Sequence, residues 1–327
     1  MQVNSKTKHL ITILGFGTNE EDAHRMKRYL KHNLFTFQEK RHLPFKTKHH
    51  VIGADNLSSN ITSQTYNFLT SGVAKIVKQS LEQKIDALKS KIDELLEKKV
   101  TPENIYIQGY SLGAIAAVKV LGDAKYKNIP VILYDPVPDV NAILQSQLKP
   151  YKNGKVSPYL IGALSYVSPS LDAANKIYDN PDQYRHLDPI KSLVSDTDWG
   201  NFAANRKAVT LYFYSIHGDI FVNTNSISYI TAKLKEIRDA PVFYRKDQRR
   251  EHVFPTDKYH ANILNEFIKY SNKPKNMIKI PQELNALNDP ASTLKEEASF
   301  TKEENEGYWS PLTAEDPRPQ RRTGVAI

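Results

Sequence analysis

The sequence predicts an α/β fold: a mostly parallel central sheet with helices on both faces and a region inserted over one end. Three observations lead there. Short apolar runs rich in branched residues alternate with longer segments of helical period. Several of the runs are continuously apolar, as strands buried on both faces must be. Between the second and third runs lies a stripe of apolar residues at three- and four-residue steps.

The strand candidates, in order, are HLITIL (9–14), HHVIGA (49–54), NIYIQG (104–109), IPVILYD (129–135), AVTLYFYSI (208–216) and PVFYR (241–245). The stripe comprises Val77, Leu81, Ile85, Leu88, Ile92 and Leu95 with lysine and glutamate between them. It runs directly into a strand, so it reads as a crossover helix. A second helix, LGAIAAVKVLG, opens immediately after the third strand.

Residues 136–207 break the alternation with prolines, tyrosines and apolar patches such as SPYLIGALSYVSPSL. They are expected to form an insertion over one end of the sheet, either a structural extension or a cap or lid over a binding site. The domain therefore runs over 1–271. Residues 272–327 turn polar and offer few apolar groups to offset the entropy of ordering the backbone, which predicts a flexible tail.

Composition excludes several classes of function. Of 327 residues, 40% are hydrophobic and 25% charged, the profile of a soluble globular protein. There is no cysteine, which removes disulfides, cysteine nucleophiles and thiolate metal sites. The net charge of +9 comes from lysine spread along the chain, without a nucleic-acid module or an aromatic and basic repeat. No nucleic-acid partner is expected, whereas an anionic membrane surface or an acidic substrate is compatible with the charge. The first apolar run is too short to span a membrane and is followed by no small-residue cleavage site. A soluble protein without a secretory signal is expected.

The motif that carries chemistry is GYSLG, with Ser111 between the third strand and the small-residue helix. Five letters alone are weak evidence, but a G-x-S-x-G serine at a sharp strand-to-helix turn is where a nucleophile elbow is built. Gly109 and Gly113 keep the turn free of side chains, and the helix start aims an amide, that of Leu112, at an oxyanion forming on a substrate. The plain alternative is that Ser111 only caps the helix.

IYIQGYSLGAIAA resembles the elbow of the α/β-hydrolase family, especially of its lipase and esterase branches, over a strand and helix order spanning residues 9–271. That resemblance implies a serine hydrolase with a Ser, Asp or Glu, His triad in chain order and no cofactor. Its second oxyanion donor comes from the loop after an earlier central strand. Here that loop is GFGT, where Gly15 and Gly17 permit a tight turn and the Phe16 amide is the candidate; the plain alternative is a glycine turn of the kind that ends many strands. For the acid, Asp219 in the loop after LYFYSI matches the family's usual place, and Asp135, at the end of the fourth strand, matches some lipases. For the base, His252 lies in the loop before the final helix and His260 in the first turn of that helix. His217 is expected to pack or hydrogen-bond beside the acid loop, and His49 and His50 to be solvated or core residues. None of the histidines has metal-ligand spacing, so no metal is expected.

The tyrosine-rich insertion suits an acyl chain, which points to a lipase, phospholipase or carboxylesterase. The same residues would also serve an acyltransferase or thioesterase, or remain as an inactive binding module. A dinucleotide-binding reading of LGFGTNEE is set aside because Glu20 stands where the third glycine of G-x-G-x-x-G belongs. The lysine- and asparagine-rich composition, with KEEASFTKEENE near the C-terminus, resembles that of translocated effector hydrolases of intracellular bacteria. A solvated tail on a cytoplasmic enzyme explains it equally well.

Overall fold

The computed structural model describes residues 7–16, 18, 23–32, 46–53, 73–139, 188–215, 224–247 and 258–272. Six strands form one sheet: β1 (Thr7–Ile13), β2 (Lys46–Ile52), β3 (Ile105–Tyr110), β4 (Val131–Tyr134), β5 (Thr210–Ser215) and β6 (Val242–Asp247). Their order is β2-β1-β3-β4-β5-β6, and every pair is parallel. All six expected strands are present, with ends shifted by one to three residues. The largest shift is in β2, whose lysine- and threonine-rich start pairs with β1 although no apolar run marks it.

Parallel neighbours need crossovers, and the helices supply them on both faces. They are α1 (23–32), α2 (Val73–Glu97), α3 (Leu112–Leu121), α4 (Asp196–Asn205), α5 (Thr224–Lys235) and α6 (Lys258–Tyr270). Strand side chains alternate between the faces. Ile11, Ile13, Ile105, Ile107, Val131, Leu133, Tyr212 and Tyr214 pack with α2, α3, α4 and α5. Leu10, Tyr106, Tyr110, Ile132, Tyr134, Leu211 and Phe213 pack with Met26 and Leu30 of α1 and with Ile263, Leu264, Phe267 and Ile268 of α6. Of the stripe in α2, Val77, Leu81, Leu88, Ile92 and Leu95 are buried and Ile85 packs against the same core. Among the described residues no helix is long and apolar enough to cross a membrane.

The expected insertion, 136–207, contains a core element at its end. Residues 140–187 lie outside the described residues, but α4 is the crossover that a parallel β4 to β5 step requires. Ser195 and Asp198 form a capping box at its start, the Asp198 side chain accepting from the Ser195 amide at 2.8 Å. Lys119 on α3 bridges to Asp198 at 2.8 Å. Trp199 is buried, edge-on to Phe202 and to Tyr229 of α5. Trp199→Ala is therefore expected to cost about 3–5 kcal/mol of unfolding free energy, read from urea denaturation.

At the other edge of the sheet, His9 Nδ1 and His50 Nε2 lie 3.1 Å apart with the rings stacked, so one neutral imidazole donates its N–H to the other. Burial holds His49 at about 4. Burial first, then the Lys91 and His9 charges, hold His50 at about 4. Both folded values lie below the ordinary histidine value of 6.5. The unfolded chain therefore binds more protons than the folded one between those limits, and stability falls as pH drops from 6.5 toward 4. Urea midpoints measured across that window should decline with falling pH, and His50→Gln should flatten the decline.

Candidate active site

The buried strand β3 ends at Tyr110, and Ser111 turns the chain directly into α3. Its backbone sits at φ 53° and ψ −119°, a conformation that costs a non-glycine residue about 1–3 kcal/mol. Three features hold it there. The Ser111 amide donates to the Tyr134 carbonyl of β4 at 2.8 Å. Its carbonyl accepts from the Ala114 amide at 3.0 Å, which starts the helix. Glycines clear both sides: a Cβ on Gly109 would lie 2.6 Å from Ala114 Cα, and one on Gly113 would lie 2.4 Å from the Ile13 carbonyl oxygen. The serine side chain makes no cap to its own helix, so the plain capping alternative does not describe it. The fold is α/β-hydrolase-like.

Comparisons with known proteins find likenesses only at low identity. No protein-family model matches the chain, and no curated protein sequence does. Among solved structures it is similar to a puromycin-hydrolyzing peptidase of Mycobacterium tuberculosis (13% identity, TM-score 0.42, 81% of this chain and 34% of that one). It is similar also to esterase PE8 (12%, TM-score 0.43, 81% and 92%) and to the Pyrococcus furiosus esterase Pf2001 (15%, TM-score 0.41, 80% and 80%). The chain thus spans about a third of the length of the peptidase. Identity at this level carries neither substrate nor mechanism across, so both are read from this chain's own residues.

Leu112 is the first residue of α3, where helix amides have no intrahelical acceptor. The loop after β1 lies alongside: a Cβ on Gly15 would be 3.2 Å from Ser111 Cβ. Thr18 anchors that loop, its single hydroxyl proton shared between the Gly15 carbonyl at 3.0 Å and the Gly53 carbonyl just after β2. Phe16 is the exposed large hydrophobic residue here, at 40%. The structure thus brings Ser111, Leu112 and the Gly15–Phe16 turn to one end of the sheet; Gly17 lies outside the described residues.

Asp135 follows β4 directly, beside the Ser111 strand end, and is 1% exposed. Its φ of 40° places it, like Ser111, in the left-handed region. Its amide donates to the Phe213 carbonyl at 3.1 Å. Its Oδ1 accepts from the Ser215 amide at 2.7 Å and its Oδ2 from the Ser215 hydroxyl at 2.9 Å. His260, in the first turn of α6, is 5% exposed and packs against Tyr134 and Phe213, with ring centroids 6.2 and 5.8 Å away. Those two rings stack on each other at 4.6 Å. His217, Asp219 and His252 lie outside the described residues.

Sequence reasoning does not single out Ser215. The trace it leaves is a lone hydroxyl closing an otherwise aromatic and apolar strand end, LYFYS. A further buried polar pair, Gln108 donating to Thr12 Oγ1 at 2.6 Å, joins β3 to β1 at matched register. It fixes the two strands whose ends carry Ser111 and the Gly15 turn.

Proposed function

We propose that this chain is a serine hydrolase that cleaves a carboxylic ester, with Ser111 as nucleophile. The observation that carries the reading is the Ser111 backbone, φ 53° between a buried strand and a helix, flanked by two glycines that cannot bear a Cβ. Strain of this kind persists only where surrounding structure enforces it, and it presents the side chain outward from the sheet end.

In the proposed chemistry a histidine, His252 or His260, takes the Ser111 hydroxyl proton as Oγ attacks the ester carbonyl carbon. The oxyanion is held by the Leu112 amide and by the Phe16 amide. Collapse of the tetrahedral species breaks the ester C–O bond, and the leaving alcohol takes the proton from the imidazolium. Water, deprotonated by the same histidine, then attacks the acyl-enzyme and releases acid and free serine. A carboxylate, Asp135 or Asp219, orients the histidine. The substrate is proposed to be lipid-like, because the 140–187 segment carries apolar and tyrosine-rich patches, and the +9 charge suits approach to an anionic membrane.

A series of chromogenic acyl esters of increasing chain length tests this reading. Hydrolysis that rises toward longer chains is expected. Activity confined to acetate would remove the lipid-like substrate, and no hydrolysis of any ester would remove the hydrolase.

A further inference from the structure

We propose that Asp135 is the acid of this site and that Ser215 is the residue that positions it. The proposal rests on the serine-hydrolase reading and extends it to a residue with no role so far.

The backbone of Asp135 is the first reason. A residue before proline is driven toward extended conformations, and Asp135 precedes Pro136, yet it takes φ 40°. This turn swings its carboxylate sideways onto the neighbouring strand end, where both oxygens find donors on one residue, Ser215. Both residues are buried, at 1% and 0% exposure. A buried carboxylate needs donors, and Ser215 supplies two, one from the backbone and one from a hydroxyl that can be removed by mutation.

Placement is the second reason. Ser215 is two residues beyond Phe213 in β5, so its side chain leaves the sheet on the Phe213 face. That is the face on which α6 packs, with His260 against Tyr134 and Phe213. The segment leading into α6 carries His252. Asp135 is therefore held on the face that carries His260. It also stands one residue past Tyr134, whose carbonyl accepts from the Ser111 amide.

The test is the hydrolysis kinetics of a soluble chromogenic ester by the full chain. Ser215→Ala keeps the backbone donor and removes the hydroxyl, so kcat should fall about 10- to 100-fold with KM changed less than about twofold. Ser215→Thr, which restores a hydroxyl, should recover most of that loss. Asp135→Asn should lower kcat about 1,000-fold or more, and by more than Asp219→Asn does. Urea denaturation checks that each variant folds, and the Ser215→Ala and Ser215→Thr pair decides the matter should Asp135→Asn unfold. A Ser215→Ala protein with wild-type kcat, or a larger loss from Asp219→Asn than from Asp135→Asn, overturns the proposal while the serine hydrolase stands. A wild-type protein that hydrolyses no ester overturns both.

Discussion

Alanine at Ser111 is expected to lower kcat for ester hydrolysis by about 10⁴- to 10⁶-fold, because in the proposed mechanism Ser111 forms the acyl-enzyme and the remaining site offers only binding and oxyanion stabilisation. The fold should tolerate the change. Ser111 makes no side-chain cap, and its amide and carbonyl bonds to Tyr134 and Ala114 are backbone interactions that alanine keeps. Glycine at the same position separates chemistry from stability. At φ 53° glycine is free of the penalty a side chain suffers, so Ser111→Gly should be equally inactive yet more stable than wild type by about 1 kcal/mol. Urea denaturation beside the kinetic assay reads both effects. If Ser111→Gly is less stable than wild type, the backbone there is not strained.

The second large effect is at Gly113. A Cβ there would lie 2.4 Å from the Ile13 carbonyl oxygen and 2.7 Å from that of Leu14, both backbone atoms of the β1 end. Neither can yield cheaply. Ile13 is paired with Gly109 on one side and Ile52 on the other, and the Leu14 amide donates to the Ile52 carbonyl at 2.9 Å. Gly113→Ala should therefore cost about 3 kcal/mol or more and displace the Gly15–Phe16 turn from Ser111, lowering activity in the molecules that remain folded. Gly200 in α4 is the control. Nothing lies within 4 Å of a Cβ built on it, so Gly200→Ala should raise stability by about 0.5–1 kcal/mol through helix propensity alone. Denaturation midpoints of the two variants should move in opposite directions.

The strands were legible because burial on both faces leaves uninterrupted apolar runs, as in VILY and the aromatic stretch of β5. The α2 stripe was legible for a complementary reason, since one buried face imposes a helical period. Of the elements that were not, two show why. The start of β2, Lys46 to Lys48, lies along the sheet edge among the described strands and bears no apolar signal. Helix α4, DTDWGNFAAN, holds glycine and asparagine and turns only a few residues, Trp199, Phe202 and Ala203, to the core, so it merged with the irregular sequence before it.

The strand-to-helix turn at Ser111 was readable because it is a local object: a strand, two glycines and a small-residue helix within a dozen positions. The surroundings of Asp135 were not. Ser215 stands 80 positions away and reaches it only because β4 and β5 pair side by side. No local pattern records a contact made by sheet register, and the same holds for His260 against Tyr134 and Phe213. Candidate acids and bases could therefore be named from sequence, but not ranked by what holds them.

The claim that Ser111 is an activated nucleophile is tested most directly by covalent capture. The folded protein is treated with a fluorophosphonate, digested, and the modified residue located by mass spectrometry. A single adduct on the peptide containing Ser111, absent from Ser111→Ala and from urea-unfolded protein, is the predicted result. No adduct, or one placed on another residue and retained in Ser111→Ala, would contradict it.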